Sequence, residues 1–154
     1  MSAVITEQHT LKISRRFKAS RERVFDAFAS IDMLKLWLGP GDYIVIDGTV
    51  DFRPGGTYVL HNNAACTDGS GERTCSTVGG TYREIKRPEK LVFTWRKLSD
   101  DTMPETVVTV DFAAVGNETL LTLTQTGFDS GDLRDRHNFG WTGSFDQLDA
   151  VLAR

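Results

Sequence analysis

Apolar and polar residues alternate along most of the chain, a pattern typical of β-strands with one buried face. Seven segments show it, separated mostly by short turns. They are Thr10–Phe17, Tyr43–Asp51, Thr57–Asn62, Thr77–Ile85, Lys90–Lys97, Glu105–Ala114 and Glu118–Thr126. Because the last six follow one another along the chain, we predict an antiparallel meander of six strands, with the first strand as a seventh.

The end of the chain has a helical period instead. Between Gly131 and Arg154, Trp141, Phe145, Leu148 and Leu152 recur at spacings of four, three and four, which places them on one face of an α-helix. No other segment shows so long a helical pattern. We therefore expect this helix to cover the apolar face of the sheet.

Two shorter helices are predicted between the first and second strands. Ser20 is a good N-cap for a helix from Arg21 to about Ser30, and Asp32 is expected to cap a second helix, Met33 to Leu38. The complete order predicts an α+β fold, in which a curved antiparallel sheet of about seven strands wraps around the long helix. At 154 residues, we expect one domain spanning 1–154.

Composition excludes several classes of function. A net charge of −3 argues against a protein dedicated to nucleic acid, and no apolar run is long enough to enter a bilayer as a spanning helix. One basic cluster is interpreted as a solvated surface: Arg15, Arg16, Lys18, Arg21 and Arg23. The N-terminus lacks the pattern of a secretory signal, so a cytoplasmic location is expected.

Four groups of motifs carry a resemblance to a known family. They are Val24-Phe-Asp-Ala-Phe28 through Leu36-Trp-Leu-Gly-Pro40; Arg53-Pro-Gly-Gly-Thr-Tyr58; Gly80-Thr-Tyr-Arg-Glu-Ile85 with Pro88-Glu-Lys-Leu-Val-Phe-Thr-Trp95; and Thr109-Val-Asp-Phe112 with Leu121-Thr-Leu-Thr-Gln-Thr-Gly-Phe128 and Gly140-Trp-Thr-Gly-Ser-Phe-Asp-Gln-Leu148. The chain thereby resembles the START-like (SRPBCC, polyketide cyclase and lipid transport) superfamily with its helix-grip fold. Within it, the chain is similar to the family named after the activator of the heat-shock protein 90 ATPase. The eukaryotic activator engages the chaperone through a separate N-terminal domain. We expect no counterpart of that domain here, so the family name is not taken as the activity.

The resemblance implies a ligand cavity between the long helix and the sheet. Its expected lining residues are Trp37, Tyr58, Leu60, Tyr82, Phe93, Trp95, Val110, Leu123, Gln125, Trp141 and Phe145. The alternative is that these side chains fill the core and leave no room. Tyr82, Tyr58 or Gln125 would orient a ligand, and Gly80→Phe is expected to close the cavity without unfolding the protein.

Signatures of catalysis are mostly absent from the sequence. His9, His61 and His137 lie far apart and have no metal-ligand spacing, so we expect neither a metal nor a cofactor. Glu84 is a polar residue on an otherwise apolar face, and Glu84, His61 or a tyrosine is a candidate acid or base if it lies close to the cavity. Gly55-Gly56 and Gly79-Gly80 are interpreted as turn and bulge glycines, and Cys66 and Cys75 as thiols beside a loop.

Three hypotheses for function follow. The preferred one is a non-enzymatic protein that binds a small apolar or aromatic molecule in the cavity. The alternatives are a cyclase, dehydratase or hydrolase that uses the same cavity, and a co-chaperone-like interaction module that uses an exposed apolar patch at Met33–Leu38. A homodimer is compatible with all three.

Overall fold

Seven strands form one antiparallel sheet in the computed structural model of the protein. They are β1 (Leu11–Phe17), β2 (Val45–Val50), β3 (Thr57–Asn62), β4 (Thr77–Lys86), β5 (Lys90–Lys97), β6 (Thr106–Val115) and β7 (Glu118–Thr126). Their order across the sheet is β1-β7-β6-β5-β4-β3-β2. The predicted meander is therefore confirmed, and the first strand joins it beside the last.

The structure describes residues 9–39, 45–62, 77–98 and 103–153. Some of the predicted features lie outside these ranges. They are the start of the second predicted strand, the segment that holds Cys66 and Cys75, and most of the loop from Ser99 to Met103.

The two short helices are present with shifted boundaries. Helix α1 (Arg21–Asp26) is capped by Ser20, as predicted, but it stops four residues before Ser30. Ser30 has the extended backbone of an N-cap, and its Oγ accepts a hydrogen bond from the amide of Met33 at 3.2 Å, so it begins helix α2 (Ile31–Trp37). The prediction of Asp32 as the cap was wrong, because Asp32 lies in the first turn, where a carboxylate favours the helix N-terminus.

The long helix, α3 (Gly131–Leu152), packs its predicted apolar face on the sheet. Trp141, Phe145, Leu148 and Leu152 are all buried. Ser130 caps the helix by accepting a hydrogen bond from the amide of Leu133. None of the helices in the described part of the chain is long and apolar enough to cross a membrane.

Two features of β4 differ from the prediction. Gly79 and Gly80 lie within the strand, and a Cβ atom on Gly80 would be 2.0 Å from the backbone oxygen of Thr94 in β5. Glycine is needed at position 80 because the neighbouring backbone comes so close. The expectation that Gly80→Phe would leave the fold intact was therefore wrong. The bulge lies between Tyr82 and Glu84, so it interrupts the alternation that placed both on one face.

The basic cluster near the N-terminus has acidic neighbours. Arg15 lies 2.8 Å from a carboxylate oxygen of Asp146 in α3, and Arg16 lies 2.6 Å from one of Glu118 in β7. These ion pairs connect β1 to the elements that flank it. They support the interpretation of the cluster as solvated surface.

Candidate functional site

A cavity with aromatic walls lies between α2, α3 and strands β3 to β5. Its volume is small, about 20 Å³, and part of it opens to solvent. Side chains of eleven described residues line it: Phe28, Leu34, Trp37, Leu38, Tyr58, Leu60, Tyr82, Leu91, Phe93, Trp95 and Trp141. The rings pack edge to face or tilted against one another and leave only a narrow space, which a ring-sized ligand would have to widen.

Most of the predicted lining residues meet at this cavity. The structure places seven of them in its wall: Trp37, Tyr58, Leu60, Tyr82, Phe93, Trp95 and Trp141. That these residues bind a ligand stays a prediction.

Four wall residues were absent from the predicted set, and the sequence carries signals for them. Leu91 alternates with Phe93 and Trp95 along β5, and so shares their face. Leu34 and Leu38 are four residues apart at the end of α2, whose buried side faces the cavity. Phe28 packs edge to face against Trp37, with 4.9 Å between the ring centroids.

Three predicted lining residues lie in the filled core instead. Val110, Leu123 and Phe145 are fully buried and do not border the cavity. The ring of Phe145 contacts the ring of Phe17 in β1 at 5.8 Å and stacks on Trp37 at 6.1 Å. The C-terminal half of α3 therefore packs directly on the β1 side of the sheet and leaves no space there.

Helix α3 also fixes the segment that follows α2, next to the wall residues Trp37 and Leu38. The hydroxyl of Ser144 accepts a hydrogen bond from the amide of Gly39 at 2.9 Å and donates one to the carbonyl of Gly140 at 2.8 Å. The side-chain amide of Gln147 donates to the carbonyl of Gly39. Both polar groups of the Gly39 backbone are thus satisfied by α3, which positions Trp37 and Leu38.

Gln125 is fully buried beside the cavity, and its side chain is already occupied. Its Oε1 accepts a hydrogen bond from the indole N–H of Trp141 at 2.8 Å, and its Nε2 donates to Oγ1 of Thr106 at 2.8 Å. The Thr106 hydroxyl in turn donates to the carbonyl of Trp95 at 2.8 Å. Gln125 therefore holds two cavity residues in place and is poorly placed to bind a ligand itself.

His137 supports the rim of the cavity. Its Nε2 accepts a hydrogen bond from the indole N–H of Trp95 at 3.3 Å, and its Nδ1, 2.9 Å from the carbonyl of Leu133, acts as the donor to it. Burial lowers the pKa of His137, and the positive charges of Arg136 and Lys97 lower it further, against an opposing effect of the Leu133 carbonyl. The neutral imidazole required by the Trp95 contact is therefore favoured. His137 lies four residues before Trp141, so the helical period places both side chains on the same face of α3.

The two tyrosines in the wall differ in their hydrogen bonding. The hydroxyl of Tyr58 donates to the carbonyl of Thr94 at 2.5 Å. The hydroxyl of Tyr82 has no hydrogen-bond partner among the described residues, and it still reaches solvent although the residue as a whole is only 3% exposed. Burial raises the pKa of both, so both hydroxyls stay protonated at neutral pH.

The other candidate polar residues are not in the wall. His61 is exposed, with Nδ1 3.2 Å from Oγ1 of Thr77, and Glu84 is half-buried beyond the β4 bulge. In the described ranges, no cluster of three or more His, Cys, Asp or Glu residues could hold a metal ion.

Comparison with known proteins assigns the family. A sequence profile described as "Activator of Hsp90 ATPase homolog 1-like protein" matches residues 18–153. The chain belongs to this family. Membership places it in the START-like superfamily, as the motifs indicated. A search of curated proteins found no match.

Solved structures of similar proteins share the fold over nearly the whole chain. A protein from Chromobacterium violaceum is 27% identical with a TM-score of 0.81, covering 95% of this chain and 98% of its own. A family member from Silicibacter pomeroyi is also 27% identical, with a TM-score of 0.76 and coverage of 94% and 97%. A Plasmodium falciparum protein described as an HSP90 activator is 22% identical, with a TM-score of 0.69 and coverage of 94% and 96%. At that identity the last likeness shows the fold alone.

Proposed function

We propose that this member of the family binds a small apolar or aromatic molecule in the cavity between α2, α3 and β3 to β5. The observation that carries the proposal is the wall itself, where seven aromatic side chains border one space. Four come from the sheet (Tyr58, Tyr82, Phe93 and Trp95), two from helices (Trp37 and Trp141) and one from the connection between α1 and α2 (Phe28). Such walls with few polar groups are typical of sites for small organic ligands. The cytoplasmic location, the single domain and any homodimer stay predictions.

The expected affinity is modest. A single aromatic ring that buries roughly 150 Å² would gain about 4 kcal/mol at ~25 cal/mol per Å². The loss of translational and rotational freedom on binding offsets part of this gain. A one-ring molecule would therefore bind no more tightly than about 1 mM, and larger molecules more tightly than that.

The structure offers less support for an enzyme. Tyr58 and Tyr82 are the ionisable residues among the described wall residues, and burial keeps both hydroxyls protonated. A protonated phenol cannot act as a general base at neutral pH. His137 bonds to Trp95 and Leu133 through its two nitrogens, so it has a structural role already.

The interaction-module hypothesis loses its main support. It required an exposed apolar patch at Met33–Leu38, but Trp37 is 1% exposed and donates its indole N–H to the carbonyl of Ala27 at 2.8 Å. Leu34 and Leu38 are also buried, whereas Leu36 is 46% exposed. One exposed leucine is ordinary for a protein surface.

The proposal can be tested by filling the cavity. Leu60→Phe adds a ring beside the cavity, and Leu148→Phe makes the same change in the filled core, where it should cost more stability. We expect 4-methylphenol, titrated by NMR, to bind the wild type and the Leu148→Phe variant, and to bind the Leu60→Phe variant at least about tenfold more weakly. Equal binding by both folded variants would contradict the proposal. Native mass spectrometry of freshly purified protein would show in addition whether a natural ligand copurifies.

A further inference from the structure

We infer that the hydroxyl of Tyr82 recognises the ligand, and that the ligand is an uncharged aromatic molecule with a hydrogen-bonding oxygen on its ring. This inference rests on the proposed function. It narrows the ligand from any apolar molecule to one with a defined polar group at one position.

The other polar groups that face or border the cavity are engaged within the protein. The hydroxyl of Tyr58 donates to Thr94. The indole N–H of Trp95 donates to His137, and that of Trp141 donates to Gln125. A ligand that used any of these groups would have to break an existing hydrogen bond, which offsets what the new one contributes.

Tyr82 is different. Its ring is held by the rings of Phe52 at 5.0 Å, Tyr58 at 5.3 Å and Phe93 at 6.2 Å, so its position in the wall is fixed on several sides. Its hydroxyl has no partner among the residues that the structure describes, and its oxygen is not sealed from solvent, although the residue as a whole is only 3% exposed. A hydroxyl that is hydrogen-bonded only by water can exchange that water for a ligand without breaking a bond within the protein.

The chemistry of the wall defines the ligand further. None of the described wall residues is Asp, Glu, Lys, Arg or His. A charged ligand would lose its hydration in this cavity without gaining a counter-charge, so a neutral molecule is favoured. Because burial raises the pKa of Tyr82, its hydroxyl remains a donor, and a hydroxyl or carbonyl oxygen on the ligand is the matching acceptor.

Three probes of similar size separate these requirements. Toluene has no polar group, 4-methylphenol carries a neutral hydroxyl, and 4-methylbenzoate carries a negative charge. Each is titrated into the wild type, Tyr82→Phe and Tyr58→Phe, with binding followed by NMR. The two variants each remove one hydroxyl from the same wall, but Tyr58 uses its hydroxyl within the protein.

We expect 4-methylphenol to bind the wild type more tightly than toluene does, and 4-methylbenzoate to bind most weakly. Tyr82→Phe should weaken 4-methylphenol by about three- to tenfold and leave toluene unchanged. Tyr58→Phe should leave the preference for 4-methylphenol over toluene in place.

The possible failures are distinguishable. If toluene and 4-methylphenol bind the wild type but Tyr82→Phe changes both equally or neither, the role of Tyr82 is refuted and the proposed cavity stands. The same conclusion follows if 4-methylbenzoate binds best. If none of the three probes binds the wild type, both the proposed function and the inference drawn from it are refuted.

Discussion

The hydrogen bond between Trp141 and Gln125 joins α3 to the sheet inside the core. Gln125 is 0% exposed, and its two polar ends are bonded to Trp141 and Thr106. Trp141→Phe and Gln125→Leu each remove one partner, whereas the double variant removes both. This pair therefore tests whether the polar link or only the apolar packing holds the helix against the sheet.

The expected losses of stability follow from a general asymmetry: removing one partner of a buried hydrogen bond costs more than replacing both partners by apolar groups. Trp141→Phe leaves the Gln125 oxygen without its partner, which should lower the free energy of unfolding by about 1–3 kcal/mol. The smaller ring also loses packing that contributes about 1 kcal/mol. Gln125→Leu leaves the buried indole N–H of Trp141 without its acceptor, at about 1–3 kcal/mol. The double variant leaves neither group unpaired and loses mainly packing. We expect the double variant to be less destabilised than the sum of the single variants by about 2 kcal/mol or more, because both penalties of about 1–3 kcal/mol disappear.

Urea denaturation followed by far-UV circular dichroism measures the free energies of unfolding without relying on tryptophan fluorescence. Phe25→Leu is the control, because the Phe25 ring packs on Phe52 and Phe112, away from the ring contacts of Trp141. The losses of stability caused by Phe25→Leu and Trp141→Phe should add in the double variant to within about 0.5 kcal/mol. If the Trp141→Phe/Gln125→Leu pair is also additive, the hydrogen bond contributes nothing specific and the argument is wrong.

Two further predictions concern α3 and its neighbours. A Cβ atom on Gly140 would meet no atom within 4 Å, so Gly140→Ala should raise the free energy of unfolding by about 1 kcal/mol. Gly80→Ala should lower the free energy of unfolding, because its Cβ atom would collide with the backbone of Thr94. A Gly80→Ala protein as stable as the wild type in urea denaturation would refute this. The pKa of His137 is lowered in the folded state, so at acidic pH the unfolded chain binds more protons than the folded protein does. The free energy of unfolding should therefore fall as the pH drops through about 6.5, until the folded-state pKa is reached. His137→Gln should reduce this loss between pH 7.5 and 5.5, and an unchanged pH profile would show that the Trp95 contact does not depend on neutral imidazole.

The sheet and the long helix were predictable because their signals are strong and local. Two-residue alternation gave β3, β5 and β7 with the bounds that the structure has, and the apolar spacing in α3 identified its buried face. The short helices were less predictable. Ser30 and Asp32 are both good N-caps, and the choice between them depends on the backbone conformation at Ser30, which the sequence does not specify.

The cavity wall was predictable only in part. Alternation tells which side of a strand is buried, but it does not distinguish a packed residue from one that borders a space. Val110 and Leu123 have the same pattern as Phe93, yet they lie in the filled core and Phe93 lies in the wall. The difference comes from where Phe145 packs, which is a property of the helix and sheet together. The Tyr82 hydroxyl likewise became distinctive only when the partners of Tyr58 and Gln125 were known.

The order of strands has a consequence for the synthesis of the chain. Leu11 in β1 pairs with Gln125 in β7, and Ser14 lies opposite Thr122, 108 residues further along. The first strand therefore leaves the ribosome long before its partner exists, while β2 to β6 can already pair with their neighbours in turn. Closing so long a loop is slow compared with forming hairpins. We expect β1 to dock late on the nascent protein, and its alternating apolar residues to remain uncovered until translation is nearly complete.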